Sequence, residues 1–348
     1  MSNMIIDYAA GSEEGLESHG KPVRLRACRV CSRPVANIRE CARVGQTARS
    51  PKNTQTYYNL KCKAVKYCSR ECQKKDWPSH KDFCARAAES DLITYCRLMD
   101  RFYNDDFLSL YLEMAIMIKL KGLKIKVSIK NPVSVDVLIG FEPVHTSHIE
   151  SLATSPTLDE GSHCPLGMLQ VLGIKPSNKS TDEIKAMPVY RDSRPLFDLD
   201  PELKHSPLVV VNMEYLQGRH DRHYTNQKAL LLSAAAILEL HTVESLTIPS
   251  LRNGEDVKKP LTSSACLELI NMHIRRDDDN KYRLRKRVQW GDMKMINLAL
   301  HGRSIDDGES KLFSAGWINK FLQEDVYRNL SCEELDTQRL QAVISAIA

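Results

Sequence analysis

The chain has 348 residues, of which 42% are hydrophobic and 27% charged, with a formal net charge of +5. This composition is ordinary for a soluble protein, and the length leaves room for a small metal-binding module and one or two domains with a hydrophobic core. Residues 1–10 lack the positively charged start of a signal peptide, and the longest apolar stretch, 229–240, is too short for the roughly 20 residues that span a membrane. We therefore expect an intracellular protein, nuclear or cytoplasmic, without membrane association, whose 11 cysteines are metal ligands or reduced thiols.

Cysteine and histidine are concentrated between residues 28 and 84. The segment begins with a Cys-x2-Cys knuckle, and Cys68 later lies four residues before Cys72. His80 lies four residues before Cys84, and this spacing places two soft ligands on one face of a helical turn, which suits zinc. Eight such ligands are enough for two tetrahedral zinc sites. The eight candidates are Cys28, Cys31, Cys41, Cys62, Cys68, Cys72, His80 and Cys84.

The run from Tyr67 to Cys84 resembles the second half of a MYND zinc finger, whose pattern there is Tyr-Cys-Ser-x2-Cys-Gln-x3-Trp-x2-His-x3-Cys. The resemblance implies a small cross-braced finger with two Zn²⁺ ions, in which the first, second, fifth and sixth ligands share one ion. The other four ligands share the second ion. Carried over to this chain, the first site is Cys28, Cys31, Cys68 and Cys72, and the second is Cys41, Cys62, His80 and Cys84.

The third ligand departs from the family pattern. MYND fingers usually have their third and fourth ligands as Cys-x2-Cys, but Asn59 stands three residues before Cys62. We interpret residues 42–61 as a polar insertion that separates Cys41 from Cys62. Such a loop should cost about 1 to 2 kcal/mol, against roughly 10 to 16 kcal/mol for binding a structural zinc ion. The alternative is that Cys41 is an ordinary free cysteine and the second site is degenerate.

Local signals around the last ligands predict two short helices. Ser69 is expected to cap the first, and Asp76 the second, whose first turn tolerates Pro78. Trp77 is expected to pack against the ligand-bearing loops, and the alternative is that it borders a peptide-binding groove.

The finger is strongly basic. Residues 21–86 carry 17 basic and 4 acidic side chains, a net charge of +13. A basic surface can attract nucleic acid or an acidic partner, but it also keeps a small module soluble. We favour the second interpretation, because no aromatic residues are interleaved as a base-stacking platform.

We expect a disordered tail at residues 1–24, the finger at 25–86, and an α+β, helix-rich domain of unknown function at 87–348, with a small, mostly antiparallel sheet. Residues 142–206 show no clear period, and the charged run 275–287 is expected to be a solvated turn or an exposed helix end. The predicted elements of this domain are helices at 90–103 and 104–120, hairpin strands at 123–129 and 133–141, a strand at 207–215, a helix at 226–240, a short strand at 246–249, a helix capped by residues 262–264 that ends near 274, and a terminal helix opened by the capping box at 331–334 that ends near 347.

Several residues of this domain could carry chemistry. His220 and His223 could bind a metal ion, although an exposed polar loop is favoured. Residues 277–279 are three aspartates that could chelate a cation, although a solvated charge run is favoured. The remaining isolated cysteines are expected to be buried thiols: Cys96, Cys164, Cys266 and Cys332.

Common catalytic signatures are missing from the sequence. It contains no Gly-x-Gly, no Gly-Lys-Ser/Thr, no His-Glu-x2-His and no Gly-x-Ser-x-Gly. Some MYND fingers belong to lysine methyltransferases of the SET class, but no asparagine in this chain precedes a histidine, as the SET signature requires. We therefore expect an adaptor or regulator without enzymatic activity, whose finger recognises a short, proline-containing peptide of a protein partner. The alternatives are a MYND-linked enzyme such as a methyltransferase, and a nucleic-acid binder that uses the basic finger.

Overall fold

The computed structural model describes residues 39–40, 66–67, 69–87, 91–155, 164–201, 203–217, 222–250, 255–301 and 308–327. The described residues divide into two compact units. The smaller unit contains the described residues up to 100 and 192–204, and the larger contains 101–191 and those from 205 onward. The boundaries predicted at residues 24 and 86 stay predictions.

The helices and strands follow one another along the chain without internal repetition. The strands are β1 (Arg39–Glu40), β2 (Lys66–Tyr67), β3 (Val133–Pro143), β4 (Leu166–Pro176), β5 (Leu208–Gln217), β6 (Arg222–Leu231), β7 (Ser245–Pro249), β8 (Asp256–Pro260) and β9 (Arg285–Arg287). The helices are α1 (Arg70–Ala87), α2 (Asp91–Asn104), α3 (Asp106–Gly122), α4 (Thr146–Thr154), α5 (Thr181–Ala186), α6 (Pro188–Asp198), α7 (Ala234–Thr242), α8 (Ser263–Arg275), α9 (Trp290–Leu300) and α10 (Gly308–Gln323), followed by a 3-10 turn at Asp325–Tyr327.

In the smaller unit, strands β1 and β2 pair antiparallel just before helix α1. The predicted cap at Ser69 is confirmed, since the Cys72 amide donates to Ser69 Oγ at 3.2 Å. The prediction of two short helices is wrong: α1 runs without a break through Asp76 and Pro78, so Asp76 is an interior residue and not a cap. A proline inside a helix removes one hydrogen bond, here to the carbonyl of Lys74, and the helix continues past it.

The larger unit is built on a five-stranded sheet with the strand order β6-β5-β3-β4-β9. Every neighbouring pair is antiparallel except β3 and β5, which are parallel. The prediction of an α+β domain with a mostly antiparallel sheet is therefore confirmed. Strand β3 lies at the centre, and all of its residues after Val133 are buried. The buried residues of this strand include polar ones, namely Ser134, Asp136 and Glu142.

The central position of β3 explains an error in the predicted hairpin. Residues 123–129 are not a strand, because the two edges of β3 are already paired with β4 and β5. The segment instead leaves helix α3 through Lys124, whose φ of 57° is in the left-handed region.

Two further strands were missed or misassigned. Strand β4 and helices α4, α5 and α6 lie in the stretch 142–206, for which no period was found. The helix predicted at 226–240 is wrong in its first part, because residues up to Leu231 pair with β5 and the helix α7 begins only after its cap at Ser233.

Other predictions agree with the structure. Helices α2 and α3 confirm the predicted helix pair, β5 confirms the strand near 207–215, and β7 confirms the short strand at 246–249. Helix α8 begins as predicted, with the Ala265 amide donating to Thr262 Oγ1 at 3.1 Å. The predicted terminal helix lies outside the described residues, as does Cys332. Cys266 is buried as expected, whereas Cys96 and Cys164 are half-buried.

A β-bulge shapes the centre of the sheet and is satisfied by a single side chain. The register between β3 and β4 shifts at Leu138/Ile139, so that Leu172 has no partner residue on β3. The buried Asn271 of α8 accepts the Val171 amide at 2.7 Å and donates to the Val171 carbonyl at 2.9 Å. Asn271 therefore supplies the backbone hydrogen bonds that the bulge interrupts.

Helices α4, α9 and α10 contribute to a hydrophobic core that includes Leu138 and Leu172 of the sheet. Gly140 of β3 lies directly beneath Trp317 of α10: a Cβ at position 140 would overlap the indole ring and lie 3.1 Å from Leu172 Cδ1. The close approach of helix and strand therefore requires glycine at this position.

We predict that Gly140→Ala lowers the free energy of unfolding by about 1 to 3 kcal/mol, because the added methyl group must displace the Trp317 ring from a packed core. Chemical denaturation of both variants measures the effect. Gly173→Ala on β4 is the matched control, since a Cβ there meets nothing within 4 Å, and it should change stability by less than about 0.5 kcal/mol. Equal effects of the two substitutions would contradict the packing described.

Candidate functional site

The described part of the finger centres on helix α1, which carries three of the predicted zinc ligands. Cys72 lies in its first turn and is half-buried. Positions 80 and 84 lie in the same helix, although the side chains of His80 and Cys84 are outside the described residues. The other predicted ligands lie outside the described residues altogether: Cys28, Cys31, Cys41, Cys62 and Cys68.

The continuity of α1 limits how its ligands can share metal ions. Cys72 and His80 are eight residues apart, which is about 12 Å along a helix axis. Zinc bonds to sulfur and nitrogen are only about 2.1 to 2.3 Å long, so a tetrahedral ion cannot reach both positions. Positions 80 and 84 are one turn apart on the same face and can share an ion. If all three residues bind zinc, the helix therefore spans two sites, as the donor set of a cross-braced finger requires.

His223 and Asp277, which belong to the two candidate metal sites of the α+β domain, make other contacts. His223 lies 3.6 Å from the Glu214 carboxylate across the β5–β6 ladder, and His220 lies outside the described residues. Asp277 is buried and accepts the amides of Lys281 and Tyr282, at 2.6 and 2.9 Å. Across the described ranges, no group of three or more histidine, cysteine, aspartate or glutamate side chains is arranged to hold a metal ion.

The α+β domain contains a buried network of charged and polar side chains. Its members are all at most 7% exposed: Glu142, Gln170, Asn271, Arg275, Lys320, Glu324 and Tyr327. The prediction of a solvated turn or an exposed helix end at 275–287 is thus wrong at Arg275, which is buried, and at Arg285–Arg287, which form strand β9.

Arg275 and Glu142 form the centre of this network. Arg275 Nε donates to Glu142 Oε1 at 3.1 Å, and Arg275 Nη2 donates to the Tyr327 hydroxyl at 2.7 Å. The Tyr327 hydroxyl in turn donates to Glu142 Oε2, so both carboxylate oxygens are occupied. Because each charge has a partner, the cost of burying it is offset.

A second charge pair completes the network. Lys320 Nζ donates to Glu324 Oε2 at 2.5 Å and to Gln170 Oε1 at 2.8 Å, and it lies 3.6 Å from Glu142. Asn271 donates to the other oxygen of Glu324 at 2.6 Å. Two cations therefore balance two carboxylates, and strands β3 and β4 are tied to α8, α10 and the 3-10 turn.

The electrostatics follow from this pairing. Burial alone would raise the pKa of Glu142, but Arg275, Lys320 and the Tyr327 hydrogen bond together lower it below its usual value. Burial also raises the pKa of Tyr327 well above its usual value, so the phenol keeps its proton. Glu142 is therefore an ionised, fully paired carboxylate at neutral pH.

An open cavity of about 560 Å³ lies elsewhere in the larger unit, and no member of the buried network lines it. Its aromatic lining is a row of rings in the order Tyr111, Phe107, His273 and Tyr282. The ring centroids of Phe107 and His273 are 4.1 Å apart, and those of His273 and Tyr282 are 4.9 Å apart. Sequence patterns did not reveal this row, because its members come from two helices and a turn.

Each of the two parts of the chain matches a protein-family model. A family model described as "Domain of unknown function (DUF8205)" matches residues 90–327, which is more than half of the chain. The chain belongs to the DUF8205 family. The buried network and the lining of the cavity both lie inside the match, so they are features of the DUF8205 domain.

The DUF8205 domain is preceded by a MYND finger, since the model of that family matches residues 28–84. MYND fingers are zinc-binding modules of protein interaction, so the predicted resemblance and the predicted Zn²⁺ are confirmed at this level. Searches of curated proteins and of solved structures found no significant match. In the described ranges, no helix combines the length and apolar character needed to cross a bilayer.

We predict that Arg275→Met lowers the free energy of unfolding by about 3 to 5 kcal/mol, because it leaves the Glu142 carboxylate buried without its main cation. Urea denaturation measures the loss. Arg287→Met, the same change at an exposed arginine of β9, should cost less than about 0.5 kcal/mol.

The pH dependence separates lost charge pairing from lost packing. In the wild type the lowered pKa of Glu142 contributes stability that is present above its unfolded value of 4.5 and is lost as the pH falls through the folded value. In Arg275→Met, protonation of Glu142 removes the unpaired charge. The difference in free energy of unfolding between the wild type and the variant should therefore shrink between pH 7 and pH 4. A deficit that is constant with pH would contradict the assigned pairing.

Proposed function

We propose that this protein is an intracellular adaptor, nuclear or cytoplasmic, and not an enzyme. Its MYND finger captures a short, proline-containing peptide of a protein partner, and the DUF8205 domain is the folded body to which the finger is attached. The observation that carries this proposal is the match to the MYND family over residues 28–84, a family of protein-interaction modules.

The finger binds two zinc ions in this proposal. The first ion is held by the two cysteines of the knuckle with Cys68 and Cys72, and the second by Cys41, Cys62, His80 and Cys84. Support comes from the unbroken helix α1, along which Cys72 and the pair at positions 80 and 84 are too far apart for one ion. Bound zinc supplies the folding free energy that so small a module cannot gain from apolar burial.

Helix α1 also offers the recognition surface. Gln73 and Trp77 lie four residues apart on it, so they share a face, and both are half-buried. A partly exposed tryptophan provides a large apolar area for a peptide. We therefore assign peptide contact to these two side chains.

The absence of enzymatic activity is supported by the way the DUF8205 domain uses its charged groups. The carboxylates and cations of the buried network are paired with one another and do not line the cavity. A general acid or base must reach its substrate, and a group enclosed in a satisfied network cannot do so.

The first prediction from this proposal is stoichiometric: elemental analysis of the purified protein should give two zinc ions per chain, because eight ligands fill two tetrahedral sites. Cys41→Ser should remove about one equivalent. A wild-type content of one zinc, or a Cys41→Ser variant that retains both, would exclude Cys41 as a ligand.

The second prediction separates recognition from folding. With a proline-containing peptide selected from a displayed library on the zinc-loaded protein, Cys68→Ser should lose both zinc and binding. Gln73→Ala and Trp77→Ala should keep both zinc ions and weaken binding by at least about fivefold. Lys75→Ala, an exposed change on the same helix, is the control and should bind normally. If both α1 variants bind as the wild type does, the finger is structural and not a recognition module.

A further inference from the structure

The cavity of the DUF8205 domain has the size and the lining of a binding site. Its volume of about 560 Å³ lies within the range of roughly 300 to 1,000 Å³ that is typical of ligand pockets. Helix α3 contributes Phe107 and Tyr111, β7 contributes Thr247 and Pro249, and α8 with the turn after it contributes the rest of the lining.

The row of aromatic rings lines this cavity. Tyr111 and Tyr282 are the two end rings, so each has one face that no other ring of the row covers. Burial lowers the pKa of His273 inside the row, which keeps this ring uncharged at neutral pH. The faces of such rings carry partial negative charge and attract cations.

Carboxylates add to this negative potential. Three aspartates at 277–279 face two cations, Arg276 and Lys281, so the lining has a net charge of −1. Asp277 is occupied by backbone amides, and Asp279 lies 3.6 Å from Lys281 in an exposed pair, which contributes little. Asp278 is exposed, and within the described part of the chain its carboxylate forms no ion pair. It is the anion that is available to a ligand.

We propose that this cavity binds an arginine side chain of a protein partner. A guanidinium group is planar, so it can stack on a tyrosine face while its N–H fork donates to a carboxylate, here Asp278. The site is separate from the peptide-binding surface proposed for the finger and does not rest on it.

The opposing charges make the proposal testable in both directions. Asp278→Asn should weaken binding of an arginine peptide, because it removes the free anion. Arg276→Gln should strengthen it, because it removes a like charge from the lining. Both side chains are exposed, so neither change should affect folding, and circular dichroism of each variant checks this point.

The experiment uses the full zinc-loaded chain and fluorescein-labelled peptides of the form Gly-Ser-Gly-X-Gly-Ser-Gly at low salt, where X is arginine, citrulline, lysine or glutamate. Fluorescence anisotropy should show the arginine peptide binding at least about fivefold more tightly than its neutral citrulline isostere. Asp278→Asn should weaken it about threefold to tenfold, and Arg276→Gln should strengthen it about twofold. Glu150→Gln, at an exposed carboxylate of α4 outside the cavity, is the control and should have no effect.

Several results would overturn the proposal. They are no measurable binding of the arginine peptide, equal binding of arginine and citrulline, preference for glutamate, and an Asp278→Asn variant that binds as the wild type does. Equal binding of lysine would overturn the guanidinium assignment, because an ammonium ion has no plane to stack.

Discussion

The pairing of Glu142 with Arg275 is the interaction on which the α+β domain depends most. Glu142 has no exposed surface and Arg275 is 7% exposed, so neither charge is compensated by water. A buried charge is tolerated only if it is paired and hydrogen-bonded, and removing one partner costs far more than the pair contributes. The arrangement therefore favours one placement of α8 against β3. Lys320 and Glu324 extend the same constraint to α10 and the residue after it, because Lys320 must stay within hydrogen-bond distance of Glu324.

The network organises the fold and has no part in the binding surfaces that we propose. Every carboxylate oxygen and cation in it has a partner, which makes it a rigid connection between sheet and helices. The surfaces that we propose for binding lie elsewhere, on helix α1 and in the ring-lined cavity. In these proposals, the residues that hold the domain together are different from those that meet a partner.

The sequence predicted the elements whose signals are local. Helix α8 was located because Thr262 caps it, and the zinc finger because its ligands have a fixed spacing. Strands β4 and β6 were missed or misassigned because a strand is specified by its neighbours in the sheet and not by its own residues. The burial of Arg275 could not be predicted, since its partner Glu142 lies 133 residues away and a run of charges normally indicates solvent. The cavity was not predicted either, because its lining comes from α3, β7, α8 and the turn after α8, and α3 is far from the others in the sequence.

The central claim is that two different sources of stability operate in one chain: zinc folds the finger, whereas the apolar core and the buried network fold the DUF8205 domain. Hydrogen exchange measured by mass spectrometry, before and after a chelator removes zinc, tests this claim most directly. We expect amide protection to be lost in peptides from residues 28–84 and retained in peptides from β3, β5 and α8. Loss of protection in β3 and β5 on chelation would contradict the account, because the domain would then depend on zinc as the finger does.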